Sequence, residues 1–117
     1  MTKAILIDPL DADEPLKAVE YTDLQAIYDL LGCDCIDAAR LEDGHAVYVD
    51  DEGSFKANGL FSVRGFPHPL FGKGLLVGPV DNEGETTDCQ HTLEWAKQNV
   101  GYVVIIHDTA VAFPFPI

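Results

Sequence analysis

Cys33-Asp-Cys35 and Cys89-Gln-His91 are the residues of this 117-residue chain whose types could hold a transition metal. Zinc accepts three thiolates and one imidazole, so Cys33, Cys35, Cys89 and His91 can be drawn as one tetrahedral site. The single-residue spacers are shorter than those of the common zinc knuckles, and cysteine at a helix stop or strand start packs readily as a small hydrophobe. A structural role is the better reading. His107-Asp108 closes the most apolar strand candidate, a position where α/β enzymes hold catalytic groups. No nucleophile can be matched to that pair from sequence. None of His45, His68, His91 and His107 has the i, i+4 spacing of His-Glu-x-x-His. Gly65 to Gly72-Lys73 lacks the glycine spacing and the following Ser or Thr of a phosphate loop. Asp81-Asn-Glu-Gly84 lacks the spacing of a calcium loop, and Asp50-Asp-Glu-Gly53 could bind a divalent ion weakly through its carboxylates, but a solvated turn is the better reading. No residue is therefore assigned to catalysis, to a metal or to a cofactor, and the expectation is a protein that is not an enzyme.

Charge is the more unusual property. Twenty acids against seven Lys and Arg give a net charge of −13. Residues 1–52 hold 14 acids against Lys3, Lys17 and Arg40, a net of −11, whereas residues 53–117 carry −2. Seven cations leave little to neutralise phosphates, so direct binding to a nucleic-acid backbone is not expected, nor is attraction to an anionic membrane. No apolar run approaches the roughly 20 residues of a membrane-spanning helix, and three cysteines without an export signal fit the cytoplasm. Solubility, or adaptation to high salt, would explain the acids without any partner. Alternatively, rows of carboxylates steer the molecule onto a basic protein such as a nucleic-acid-binding host or defence protein. On that reading the partner-binding residues are Asp11, Asp13, Glu14, Glu42, Asp43, Asp50, Asp51 and Glu52.

The elements that must position these residues are marked by caps, turns and periodicity. Residues 3–7 read as a strand, and the acidic, proline-containing stretch 8–20 as a loop. Thr22 and Gln25 form a capping box for a helix over Asp23–Leu31, with Leu24, Ile27 and Leu31 on its buried stripe and Gly32 as its stop. Cys35–Leu41 and Ala46–Val49 form a hairpin around Asp43-Gly44, with His45, Val47 and Val49 sharing one face. Phe55–Val63 and Gly74–Gly78 read as strands, the latter's glycines marking a bulge or a close backbone approach. Thr87 and Gln90 predict a second helix over Asp88–Val100, burying Leu93 and Ala96 and stopping at Gly101. Tyr102–Ile106 reads as a central strand, and 110–117 as an apolar, proline-containing tail. One α+β domain follows, with a mixed or mainly antiparallel sheet and both helices packed on one face.

Leu24-Gln25, Leu31-Gly32-Cys33, Tyr48-Val-Asp-Asp-Glu-Gly53, Asn58-Gly59, Leu70 through Gly78 and Asp81-Asn-Glu-Gly84 together resemble a family of short uncharacterised bacteriophage and mobile-element proteins, a domain of unknown function. The resemblance covers about half of the chain, and where that pattern favours Gly-Gly after the first helix this chain has Gly32-Cys33. It implies a phage or prophage origin and a small α+β domain, and no enzymatic activity.

Overall fold

The computed structural model describes residues 1–11, 13–52, 59–106 and 109–113, and side chains up to residue 103. The described residues form nine strands and two helices in the order β1 (Thr2–Ile7), β2 (Leu16–Tyr21), α1 (Leu24–Leu31), β3 (Ile36–Arg40), β4 (Ala46–Asp50), β5 (Gly59–Val63), β6 (Leu70–Phe71), β7 (Gly74–Val77), α2 (Leu93–Asn99), β8 (Val100–Ile106) and β9 (Thr109–Phe113). One sheet has the order β2-β1-β7-β4-β3 and the other β6-β5-β8-β9. Every pairing in both is antiparallel.

Successive side chains of a strand point to opposite faces, and the five-stranded sheet buries both. Ile5, Ile7, Val47, Val49 and Leu76 pack with Phe61 and Val63 of the second sheet and with Ala96 of α2. Ala4, Leu6, Ala46, Leu75 and Val77 pack instead with Ile27 and Leu31 of α1. The fold is α+β with a mainly sheet core. The helices, expected on one face, lie against opposite faces of the five-stranded sheet, because α2 shares its side with a second sheet that periodicity could not separate from the first. Gly74 and Gly78 mark close approaches: a Cβ at Gly74 would run into the Phe61 ring, and one at Gly78 into the carbonyl oxygens of Thr87 and Asp88.

Several boundaries move. The stretch 8–20 is a loop only as far as Pro15, whose carbonyl accepts from the Asp8 amide at 2.8 Å before β2 pairs along β1. Asp23, not Thr22, caps α1, its carboxylate accepting from the Ala26 amide at 2.9 Å. Gly32 closes that helix at φ 67° as expected, whereas Leu24 is 52% exposed. The second helix starts five residues late. Thr87 to Cys89 are drawn into an extended strap: the Gly78 amide donates to the Thr87 carbonyl at 3.1 Å and the Cys89 amide to the Lys3 carbonyl at 2.8 Å. Thr92 is the cap instead, and Gly101 is no stop, since β8 begins directly at Val100. Leu93 is half-buried and Ala96 fully buried. Within 110–117, residues up to Phe113 form β9 along β8, and the rest lie outside the described residues.

Candidate functional site

Antiparallel order fixes which loops meet. Ile7 stands beside Leu16 and Gly74, Gly74 beside Val49, and Asp50 beside Ile36, so these residues share one end of the sheet. That end carries Asp11, Asp13 and Glu14 from the β1–β2 loop and Asp50, Asp51 and Glu52 from the end of β4, together with Asp8 and Asp34. Adjacent strands stand about 4.8 Å apart, so two strand steps separate the loops by roughly 10 Å. Among the described residues two of these acids have a lysine within 4 Å. Lys17 pairs with Asp11 at 3.1 Å, and Lys73 lies 3.9 Å from Asp8. Asp11 also accepts from the Asp13 and Glu14 amides at 3.1 Å. The Glu14 amide bond, then Lys17, holds the Asp11 carboxyl below its ordinary range. Of the eight residues expected to bind a partner, six share this end. Glu42 and Asp43 sit in the β3–β4 hairpin at the opposite end.

Asp43 instead anchors a cluster that spacing alone does not reveal. Its Oδ1 accepts from the His45 amide at 2.9 Å and lies 3.2 Å from His45 Nδ1, while Oδ2 lies 2.6 Å from His91 Nε2. His45 Nε2 accepts from the Gln90 amide at 3.2 Å. His91 stacks on Trp95 with ring centroids 3.6 Å apart and tilts against His45 at 4.3 Å. Burial, foremost, lowers the pKa of His45 against the opposing pull of Asp43. At Asp43 burial acts upward, but the His45 amide and the His91 ring outweigh it and the carboxyl is lowered. Asp43, His45 and His91 each offer a ligand atom within 4.8 Å of the others. Their hydrogen bonds decide against a metal there. Accepting from Gln90 leaves the His45 proton on Nδ1, where it donates to Asp43. A metal-bound histidine donates from its second nitrogen; here a proton on that nitrogen would face the Gln90 N–H. The three residues form a hydrogen-bonded clamp between the β3–β4 hairpin and the strap leading to α2.

The tetrahedral site drawn from sequence is not assembled. Cys33 packs on the α1 side of the five-stranded sheet and Cys89 on the other, so the sheet lies between them. Burial pushes the Cys89 thiol pKa up, favouring the unreactive thiol. His107 and Asp108 lie outside the described residues. The clamp was half legible: His45 shares a strand face with the buried Val47 and Val49, but its meeting with His91 depends on the strap.

An antiparallel two-sheet α+β domain with an acidic end and no assembled catalytic set among its described residues is the class that fold and site define. The chain belongs to the family described as Domain of unknown function (DUF3846), whose model matches residues 1–100. It is also 36% identical over 76 residues to the "Uncharacterized protein y4iR" of Sinorhizobium fredii (strain NBRC 101917 / NGR234), a match covering 63% of this chain and 47% of that protein. The chain thus spans about half the length of that curated relative. No solved structure matches. Among the described residues no helix is long and apolar enough to cross a membrane.

Proposed function

We propose that the chain is a non-enzymatic interaction protein of phage or mobile-element origin. Its acidic end occupies a basic surface of a nucleic-acid-binding host or defence protein in the host cytoplasm. The observation that carries this reading is the gathering of Asp11, Asp13, Glu14, Asp50, Asp51 and Glu52 at one end of the sheet. Strand register brings the two acidic loops to the same end, and carboxylates grouped in this way form a pattern a basic site can match. Asp43 is withdrawn from this role because it lies in the β3–β4 hairpin, at the opposite end of the sheet. Solubility alone requires net charge but no such grouping.

Capture from a bacterial lysate tests the reading. Wild-type protein and the triple variant Asp50→Asn, Asp51→Asn, Glu52→Gln are compared at about 50 mM and about 500 mM salt, between which screening shortens severalfold. The expected result is a basic protein retained by wild type at low salt and lost both at high salt and by the variant. Capture of nothing specific, or of partners indifferent to salt and to the variant, overturns it.

A further inference from the structure

The two edges of the five-stranded sheet are finished differently. In an antiparallel pair, successive residues alternately turn their backbone groups toward the partner strand and away from it. The Asp8 amide donates to the Pro15 carbonyl, and Lys3 turns its backbone away from β2, its carbonyl accepting from Cys89. Carried along the register, this turns the N–H and C=O groups of Leu16, Ala18 and Glu20 outward from the sheet. Among the described residues they meet no partner. The opposite edge, β3, is partly capped: the Leu41 amide donates to His45, so Ile36, Ala38 and Arg40 face outward, and the Asp37 carboxylate takes one of these amides, that of Ala38, at 2.9 Å. An acid that occupies an outward amide discourages strand addition, and β2 has no such acid.

The same three residues of β2 also border a groove. Their side chains share the face of Ile5 and Ile7, and α2 runs alongside. One stretch, of about 560 Å³, is lined by Leu16, Ala18, Leu93, Val100 and Tyr102 beneath a rim that includes Asp13 and Glu14. The next, of about 650 Å³, shares Ala18 and Leu93 and continues past Glu20 to His91. Two of the lysines at the groove are engaged, Lys17 with Asp11 at 3.1 Å and Lys97 with Glu94 at 3.8 Å. Asp13 and Glu14 form no ion pair within 4 Å among the described residues, although Glu14 adds to the field at Lys17. With Asp11 and Glu94, the acids at this lip outnumber Lys17 and Lys97.

We infer that β2 receives an extended basic segment of a protein partner as a sixth strand, with apolar side chains in the groove over Leu16 and Ala18 and a cation against Asp13 and Glu14. Backbone pairing supplies affinity in such an arrangement, and alternate side chains supply selectivity. A second copy of this chain is the poorer occupant, since two surfaces of charge −13 repel. The sign of the partner's charge rests on the proposed function; the strand addition itself rests on the edge.

The probe is the peptide acetyl-Arg-Lys-Val-Thr-Val-Lys-Arg-amide, with a twin in which Gln replaces every cation. Binding to the full chain is followed by calorimetry and by amide exchange in NMR. Expected are slowed exchange at Leu16, Ala18 and Glu20, and binding at least about fivefold weaker for the twin. Ala18→Pro deletes an outward N–H that β1 does not use, a replacement tolerated at edges; it should weaken binding about tenfold or more. Asp13→Asn with Glu14→Gln should weaken the cationic peptide and leave the twin unchanged. Salt-sensitive binding without protection at Ala18 or Glu20 overturns the strand addition while leaving the acidic reading intact. Equal binding of peptide and twin overturns the basic partner, and the acidic reading with it at this groove. No binding of either peptide at 1 mM, about 4 kcal/mol, overturns the inference outright.

Discussion

Replacing Asp43 with Ala removes three acceptor contacts, and their consequences differ with burial. His45 has a side chain only 5% exposed, so losing Asp43 Oδ1 leaves its Nδ1–H facing the interior. A buried donor without an acceptor costs about 1–3 kcal/mol. The His45 amide and His91 Nε2 lose their bonds as well, each worth roughly 0.5–1.5 kcal/mol where water competes poorly. Asp43 is itself 43% exposed, so water entering its place offsets part of the sum. A net loss of about 1–3 kcal/mol remains, close to 4–12 °C in Tm for a chain of this size. Asp43→Asn retains the Oδ1 acceptor and should lose less than half as much. Thermal melts at pH 7.5 measure both variants, and ¹⁵N shifts of His45 report whether its proton stays on Nδ1. An Asp43→Ala melting point within about 2 °C of wild type refutes the clamp as a stabilising contact.

The clamp also sets a pH dependence. The pKa of His45 is lowered on folding, so below the unfolded value of 6.5 the unfolded chain binds a proton that the folded chain resists, and stability falls with acidification. The lowered carboxyl of Asp43 adds a second loss below its unfolded value of 3.8, complete once pH passes the folded value. Equilibrium unfolding between pH 7.5 and 5 should show the first decline, and His45→Gln should flatten it; an unchanged wild-type profile contradicts this. Raising salt at pH 7 from about 10 to 150 mM shortens the screening length from about 30 to 8 Å and should raise Tm by relieving repulsion at the acidic end. A flat or falling midpoint contradicts that. Gly74→Ala places a methyl against Phe61 and 3.0 Å from Val47 Cγ1, both fully buried, and should destabilise by about 1–3 kcal/mol in urea titration. A loss below about 0.5 kcal/mol shows that this core yields more readily than close packing implies.

What the chain discloses in advance follows from the range of the interactions. Gly32 and the Asp43-Gly44 turn are local signals, and the helix stop and the hairpin are where they point. Alternation along residues 46–49 likewise places His45 on the inner face. The capping box at Thr87 failed because a local hydrogen-bond pattern competed with tertiary partners: Gly78 and Lys3 claim the backbone of Thr87 to Cys89. Leu16–Tyr21 lacked a run of strong strand formers and is held by β1, a partner that its own residues do not announce. The second sheet was hidden for a related reason. Phe61 and Val63 show that they seek burial, but not which sheet they join. For the acidic surface, sequence supplied the inventory and strand direction supplied the grouping, bringing six of the eight residues together and leaving Glu42 and Asp43 at the other end.

Displacement of nucleic acid tests the central claim most directly. A basic protein captured at low salt is loaded with a fluorescent duplex, and the chain is titrated in while anisotropy is read. An acidic end that occupies the phosphate-binding surface releases the duplex completely at saturation, and the Asp50→Asn, Asp51→Asn, Glu52→Gln variant requires severalfold more protein to do so. A duplex that stays bound while the chain also binds, forming a ternary complex, contradicts the account.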